Sequence, residues 1–286
     1  MAQTVKIISD STCDLSKDIL EKYDVDILPL HIILGDEEYL DGKNITPEEI
    51  YRWADEHATT PKTSAPALED AINLMKPYID RGDELICFSI SNSMSSSGQV
   101  MMMAAEELEA SNRVHVIDSA NLSTGIGLLV VEAAILAKEG KRAAEIVQTI
   151  EEYKPYVRAS FVVDTLVYLH RGGRCSGVAA LVGGALKLHP QIVVEQGAMH
   201  PAKKYRGKIK TAVLSYVKDQ EEGLRRAKKD RIFITHSGCD VQIVGEVRAY
   251  LESLGIFDEI IETRAGGVIS SHCGPGTLGV LYIEQK

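Results

Sequence analysis

The fold is decided by one stretch of sequence, ELICFSISNSMSSSGQVMMMAAEEL, residues 84–108. Its first residues form an apolar run that predicts a buried strand over 84–90. A serine-rich turn follows, and the segment after it has the spacing of a helix that ends near residue 111. A strand joined to a helix by a short turn is typical of parallel β-α-β units. The stretch therefore predicts an α/β fold, and it raises the question of why five serines crowd residues 91–97.

The same alternation extends in both directions from this stretch. We predict further strands over 5–8, 25–34, 39–40 and 113–118. Helices are predicted over 15–23, from a cap at Thr46 onward, from residue 67 to about 80, from after residue 127 to 138, and over 143–153. Strands that alternate with amphipathic helices favour a parallel sheet with helices on both faces. We therefore assign a doubly wound, mostly parallel α/β sheet to an N-terminal domain, residues 1–154.

Beyond residue 154 the alternation is less regular. We predict strands over 157–163, 191–195, 231–235, 259–262 and 280–283, and helices over 177–186, 212–227 and 241–254. A length of 286 residues suits two domains. The second part is therefore interpreted as a C-terminal α/β (α+β) domain, residues 155–286.

Three polar segments follow predicted strands of the N-terminal domain. They are Asp10-Ser11, the serine turn and Asp118-Ser119. In open parallel sheets, ligands bind at the carboxyl ends of the strands. We therefore expect these segments to share one rim that binds a ligand.

Composition excludes several classes of function. The formal net charge is -10, and the basic residues are scattered except in Lys203–Lys210, so a nucleic-acid surface is not expected. Five cysteines without a CxxC spacing favour neither a disulfide framework nor a zinc site, so we expect no metal and a cytoplasmic location. The N-terminal apolar run is too short for a signal-peptide core, and no run elsewhere reaches the length of a membrane span.

The serine turn has four interpretations. A linker is disfavoured because the turn is short and lies between two predicted elements. A nucleophile elbow requires GxSxG, and the first glycine is missing at Ser95-Ser96-Ser97-Gly98. A helix cap and an anion site use the same hydroxyls and the same free N–H groups, so these two interpretations are compatible.

Other motifs are weaker on their own. Residues 274–279, GPGTLG, match GxGxxG, but too few residues follow for a dinucleotide-binding helix, and the chain has no P-loop sequence. His272 has the options of a base, a ligand donor or a structural loop histidine. Arg171 and Arg174 flank two glycines and are suited to a carboxylate or phosphate, or to an exposed loop.

Taken in order along the chain, the motifs resemble those of the DegV family, bacterial two-domain proteins that bind a fatty acid. The motifs that carry the resemblance are Ser9–Leu15, Thr63–Pro66, Ile90-Ser91, Val116–Ser119, Leu169–Arg174, Lys204–Arg206 and His272–Gly276. The resemblance implies a tunnel between the domains that holds a long-chain fatty acid as the only ligand, with no cofactor.

The family's functional residues are carried over by motif. The resemblance implies that Thr63 and Ser95 bind the fatty-acid carboxylate, with Ser96 as the neighbouring candidate and His272 nearby. It associates Arg174 and Arg206 with the surroundings of the carboxylate and with docking of a partner, fatty acid kinase. That kinase forms an acyl phosphate for phospholipid synthesis, so the chain itself is expected to be a monomeric carrier and not an enzyme.

The sequence departs from the family pattern in the turn itself, where Ser95-Ser96-Ser97-Gly98-Gln99 replaces the usual Ser-Gly-Thr-Tyr-Gln. Which serine binds the carboxylate therefore stays open, with Ser95 preferred. An alternative from a different class also stays open. It is a serine hydrolase or acyltransferase that uses Ser95 or Ser96, with His272 as base and Asp118 as its orienting group.

Overall fold

The computed structural model describes residues 4–181 and 188–285. The elements up to residue 153 are β1 (Val5–Asp10), α1 (Lys17–Tyr23), β2 (Val25–Leu28), β3 (His31–Leu34), β4 (Glu37–Leu40), α2 (Pro47–His57), β5 (Lys62–Ser64), α3 (Leu68–Arg81), β6 (Glu84–Ser89), α4 (Ser97–Glu107), β7 (Val114–Asp118), α5 (Thr124–Lys138) and α6 (Ala143–Tyr153).

The later elements are β8 (Val157–Val162), α7 (Val167–Gly172), β9 (Leu188–Glu195), β10 (Ala198–Arg206), α8 (Ile209–Asp219), α9 (Glu221–Leu224), β11 (Arg231–His236), α10 (Val241–Ser253), β12 (Glu259–Arg264), α11 (Gly267–Cys273) and β13 (Leu278–Ile283). None of these described helices is both long enough and apolar enough to cross a membrane.

The first sheet is parallel throughout and has the strand order β2-β1-β6-β7. Its register places Ser89 beside Asp118, and Ser9 beside Phe88. Asp10, at the end of β1, therefore lies at the same edge as the ends of β6 and β7. This arrangement confirms the predicted α/β class and the predicted rim.

The last sheet has six strands in the order β10-β9-β8-β13-β11-β12, and only the β11–β12 pair is parallel. Helix α5 is buried from Thr124 to Ala134, because it contacts strands of both large sheets. One apolar core joins Ile86 and Phe88 of the first sheet to Phe161 and Phe233 of the last. The division of the chain after residue 154 stays a prediction.

The predicted strand over 25–34 is wrong as a single element. It is interrupted at Pro29, which has no N–H to donate to a ladder. Before the interruption, β2 joins the parallel sheet; after it, β3 pairs with β4 as the predicted hairpin. On its other edge β3 pairs with β5, and this small sheet places Thr63 opposite Ile32.

Expectations for the second part also need correction. The predicted helix over 212–227 is two helices, α8 and α9, separated at Gln220, and the basic segment beginning at Lys203 largely belongs to the unpredicted edge strand β10. A loop histidine was one of three options left open for His272, and the structure places this residue in helix α11. Of the predicted helix over 177–186, the structure describes a 3-10 segment, Val178–Leu181, and residues 182–186 lie outside the described residues.

Candidate functional site

A cavity of about 290 Å³ lies between the rim of the parallel sheet and helix α11. Five of the predicted site residues line it, and they come from four separate segments of the chain: Thr63, Ser95, Ser96, Arg174 and His272. The rest of the wall is largely apolar and includes Leu122, Met199 and Ile269. A few polar groups at one part of an otherwise apolar cavity are typical of a small-molecule site.

His272 and Thr63 form the centre of the polar wall. The Nε2 atom of His272 lies 2.8 Å from Thr63 Oγ1, across a sequence separation of 209 residues. Burial, with a smaller effect from the charge of Arg174, lowers the pKa of His272 to about 4. At neutral pH the ring is therefore uncharged, and it acts as a hydrogen-bonding group and not as a cation.

The other nitrogen of His272 is confined by the backbone. Its Nδ1 atom is buried and has no hydrogen-bond partner within the described part of the chain. A Cβ atom on Gly172 would collide with this nitrogen, so a glycine is required at the close approach of α7 to α11. The first of the two glycines between Arg171 and Arg174 therefore makes room for the imidazole.

The serine turn divides into two parts with different contacts. Ser91 donates a hydrogen bond of 2.7 Å to the carbonyl oxygen of Gly197, and Ser93 donates to the same oxygen. These two serines therefore bind the tip of the β9–β10 hairpin. Ser95 and Ser96 line the cavity instead, which explains why a single turn contains so many hydroxyls.

Ser95 and Ser96 lie at the N-terminus of α4. The Ser95 hydroxyl accepts a hydrogen bond of 3.3 Å from Ser97 N–H, and Ser96 is the N-cap residue but makes no side-chain cap bond. The free N–H groups at a helix start carry a partial positive charge that favours an anion. Both predicted interpretations, cap and anion site, are therefore compatible with the geometry.

The two arginines differ in position. Arg174 lines the cavity and donates a 2.8 Å hydrogen bond to the Gly172 carbonyl oxygen. Arg206 is exposed at the end of the edge strand β10, and it is not part of the wall formed by the described residues. The structure therefore brings Arg174 to the predicted head-group site but leaves Arg206 outside it.

The geometry does not support the hydrolase alternative. Asp118 accepts hydrogen bonds from the backbone N–H groups of Asn92 and Ala120, at 3.3 and 2.8 Å, and does not contact His272. The partner of His272 is a threonine and not a serine of the turn. A serine–histidine–aspartate relay is therefore not formed by Ser95 or Ser96, His272 and Asp118.

A second, narrow apolar space of about 20 Å³ adjoins the cavity. Leu122, Ile269 and Cys273 line both spaces. The second space reaches Phe161 and Leu281 of the last sheet. The cavity thus has a polar part at the rim, and apolar space adjoins it on the side of the last sheet.

Sequence reasoning missed most of this apolar wall. Ile269 and Cys273, four residues apart, contribute one face of α11 to both spaces. That i, i+4 spacing was the available signal for a helix, although a segment of seven residues is short for such a pattern. Within residues 4–181 and 188–285, no group of three or more potential ligands is placed to hold a metal ion.

A family model described as "Uncharacterised protein, DegV family" matches residues 4–285. The chain belongs to the DegV family. A DegV domain-containing protein of Clostridium perfringens is 32% identical over 281 residues, which cover 98% of this chain and 99% of the relative.

Two solved structures of DegV family proteins are informative. One from Thermus thermophilus, described as showing fatty acid binding, is 31% identical with a TM-score of 0.90, covering 99% of this chain and 100% of that chain. A stearic acid-binding protein from Eubacterium ventriosum is 27% identical with a TM-score of 0.86, covering 99% of each chain. The two-domain fold of the family is therefore shared by this chain.

Proposed function

We propose that this DegV family chain binds a long-chain fatty acid, with the carboxylate at Thr63, Ser95 and His272 and the acyl chain along an apolar path from the cavity into the adjoining space. The observation that carries the proposal is the cavity itself, polar at the rim and apolar towards the core. The fatty-acid ligands of the similar structures support the same class of ligand. Ser96 lines the cavity beside Ser95 and is the second candidate for the carboxylate contact.

The apolar path and the polar rim are expected to contribute very different amounts to the free energy of binding. Burying about fifteen methylenes contributes roughly 12 kcal/mol before the costs of association. A hydrogen bond to a charged carboxylate contributes only about 1.5–3 kcal/mol. We therefore expect the apolar path to determine affinity, and the hydroxyls and His272 to determine which end of the ligand lies at the rim.

Lipid extraction and mass spectrometry of the purified protein test the proposal directly. We expect a bound long-chain fatty acid, and we expect the Thr63→Ala, Ser95→Ala double variant to retain less of it while remaining folded. Ser93→Ala is the matched control, because Ser93 lies in the same turn but contacts Gly197 and not the cavity. No bound lipid and no uptake of added palmitic acid by native mass spectrometry would contradict the proposal.

We further propose that the bound carboxylate is presented to a fatty acid kinase. The polar part of the cavity includes the exposed residue Arg174, so the head group lies beside a surface that a partner is able to reach. Arg206 and Lys204 are exposed on the same edge strand and provide a positive surface on a chain of net charge -10, whereas Lys203 is paired with Asp219. We propose Arg206 as a docking residue because it is exposed and outside the cavity.

The kinase proposal is tested by acyl-phosphate formation from palmitic acid and ATP with a bacterial fatty acid kinase. Arg206→Ala is expected to slow the reaction and leave palmitic acid binding unchanged. Arg142→Ala, at the exposed start of α6, is the control for loss of a surface arginine. Equal rates for Arg206→Ala and the wild-type chain would contradict the docking role, and no acyl phosphate with any variant would contradict presentation.

A further inference from the structure

Helix α11, which contains His272, is bound at its N-terminus by two aspartates from the opposite end of the sequence. Gly266 N–H donates to Asp14 Oδ1 and Gly267 N–H donates to Asp41 Oδ1, each at 2.7 Å. The first N–H groups of a helix have no partner within the helix. The two carboxylates therefore supply, from the N-terminal part of the chain, the acceptors that α11 needs.

The contact leaves no room for a side chain at the helix start. A Cβ atom on Gly267 would lie 2.5 Å from Ile32 Cδ1 and 3.0 Å from Asp41 Oδ1. The backbone of α11 is thus placed directly against β3 and the Asp41 carboxylate. β3 also pairs with β5, the strand that contains Thr63.

Each aspartate is itself held by a serine. Ser11 donates to Asp41 Oδ2 at 2.8 Å, and its hydroxyl accepts from the N–H of Leu30, which lines the cavity. Ser123 donates to Asp14 Oδ2. The backbone of Ser123 has φ 53° and ψ -145°. This conformation costs energy for a residue other than glycine, and such residues are often found at functional sites.

These hydrogen bonds connect three walls of the cavity. Asp14 joins α11 to Ser123, which follows the wall residue Leu122, and Asp41 joins α11 to Ser11 and thus to Leu30. Both carboxylates are buried, and burial of a carboxylate is costly unless its hydrogen bonds compensate. The two buried carboxylates at the start of α11 are explained if their role is to hold this helix in place.

We propose that Asp14 and Asp41 are positioning residues for the head-group site: by binding the start of α11 they set the position of His272 relative to Thr63. The inference rests on the proposed function, because it assumes that His272 and Thr63 receive a carboxylate. Neither aspartate lines the cavity among the described residues, so neither is proposed to contact the ligand.

The preference of each variant for an acid over an alcohol distinguishes a role in positioning His272 from a role in overall stability. The dissociation constants of palmitic acid and hexadecanol are measured for each variant, because the two ligands share a chain and differ in the head group. For Asp41→Ala we expect the preference for the acid to fall about tenfold, the value of one weakened charge-assisted hydrogen bond. Asp41→Asn keeps an acceptor for Gly267 N–H, and its preference is expected to stay within about threefold of wild type.

Asp83→Ala is the matched control, since Asp83 is also buried and hydrogen-bonded, to Thr4 and Arg81, but lies away from the cavity. We expect it to lower stability without changing the acid-to-alcohol ratio. An unchanged ratio in folded Asp41→Ala would overturn the inference. If that variant does not fold, Ser11→Ala decides, because an unchanged ratio there would equally overturn it.

Failure of the proposed function has a different signature. A wild-type chain that binds neither palmitic acid nor hexadecanol would contradict fatty-acid binding itself. A wild-type chain that prefers the acid, with the same preference in Asp41→Ala, would contradict only the positioning role.

Discussion

Protonation of His272 is expected to destabilise the folded chain at mildly acidic pH. The ring is buried against Gly172 and beside Arg174, so the pKa of His272 falls from an ordinary value near 6.5 to about 4. The unfolded chain therefore takes up a proton at a pH where the folded chain does not. Stability from this group is complete above about pH 6.5 and is lost as the pH falls towards 4.

The magnitude follows from the two pKa values. Between pH 7 and pH 5 the linkage relation gives a loss of about 2 kcal/mol in the free energy of unfolding. For a chain of this length that loss lowers the melting temperature by about 3 °C. Because a fatty-acid carboxylate next to the ring would favour its protonated form, saturating palmitic acid is expected to reduce the loss.

Urea unfolding at a series of pH values measures this effect. His272→Gln removes the titration and keeps an amide for Thr63, so its unfolding free energy is expected to change by about 2 kcal/mol less than wild type between pH 7 and pH 5. His57→Gln is the control, because His57 is exposed and stacks on Trp53. The same pH dependence in wild type and His272→Gln would refute the reasoning that His272 is buried and uncharged.

Three further predictions concern the cavity and the residues that support it. Gly172→Ala displaces the His272 ring and is expected to lower the affinity for palmitic acid about tenfold, measured by isothermal titration calorimetry. Gly245→Ala is the control, because a Cβ atom there meets open space. Equal affinities of Gly172→Ala and the wild-type chain would exclude the clash. Burial raises the pKa of Asp41 from 3.8 to about 6, so its ionisation lowers the free energy of unfolding by about 2 kcal/mol as the pH rises from 4 to 6. Urea unfolding of Asp41→Asn is expected to lack that fall, and a wild-type pH dependence in the variant would contradict it. Ile269→Trp narrows the junction of the two spaces, so mass spectrometry of the bound lipid is expected to show shorter fatty acids. Each methylene that is no longer buried lowers the affinity roughly fourfold. An unchanged lipid profile would mean that the acyl chain does not lie along this path.

The parallel sheet was predictable because its signals are local. The segment that becomes β6 and α4 has apolar residues at strand and then helix spacing, and Thr46 with Glu49 forms the capping box expected at the start of α2. Parallel strands end at one edge, so the common rim of Asp10, the serine turn and Asp118 follows from strand order alone.

Helix α11 was not predictable in the same way. It has seven residues, too few to be stable by itself, and it begins with glycine. Its stability depends on Asp14 and Asp41, which are more than 200 residues away in sequence. Strand β10 was missed for a related reason, since its exposed lysines resemble a solvated surface until pairing with β9 defines it.

The sequence by itself determined the α/β class, the rim and, through its ordered motifs, most of the polar residues that line the cavity, because periodicity and motifs are read from residues close together in the chain. Tertiary structure alone decided the division of labour in the serine turn, with Ser91 and Ser93 binding Gly197 while Ser95 and Ser96 line the cavity. It also decided that His272 pairs with Thr63 and is uncharged, since burial and distance between remote segments set both properties.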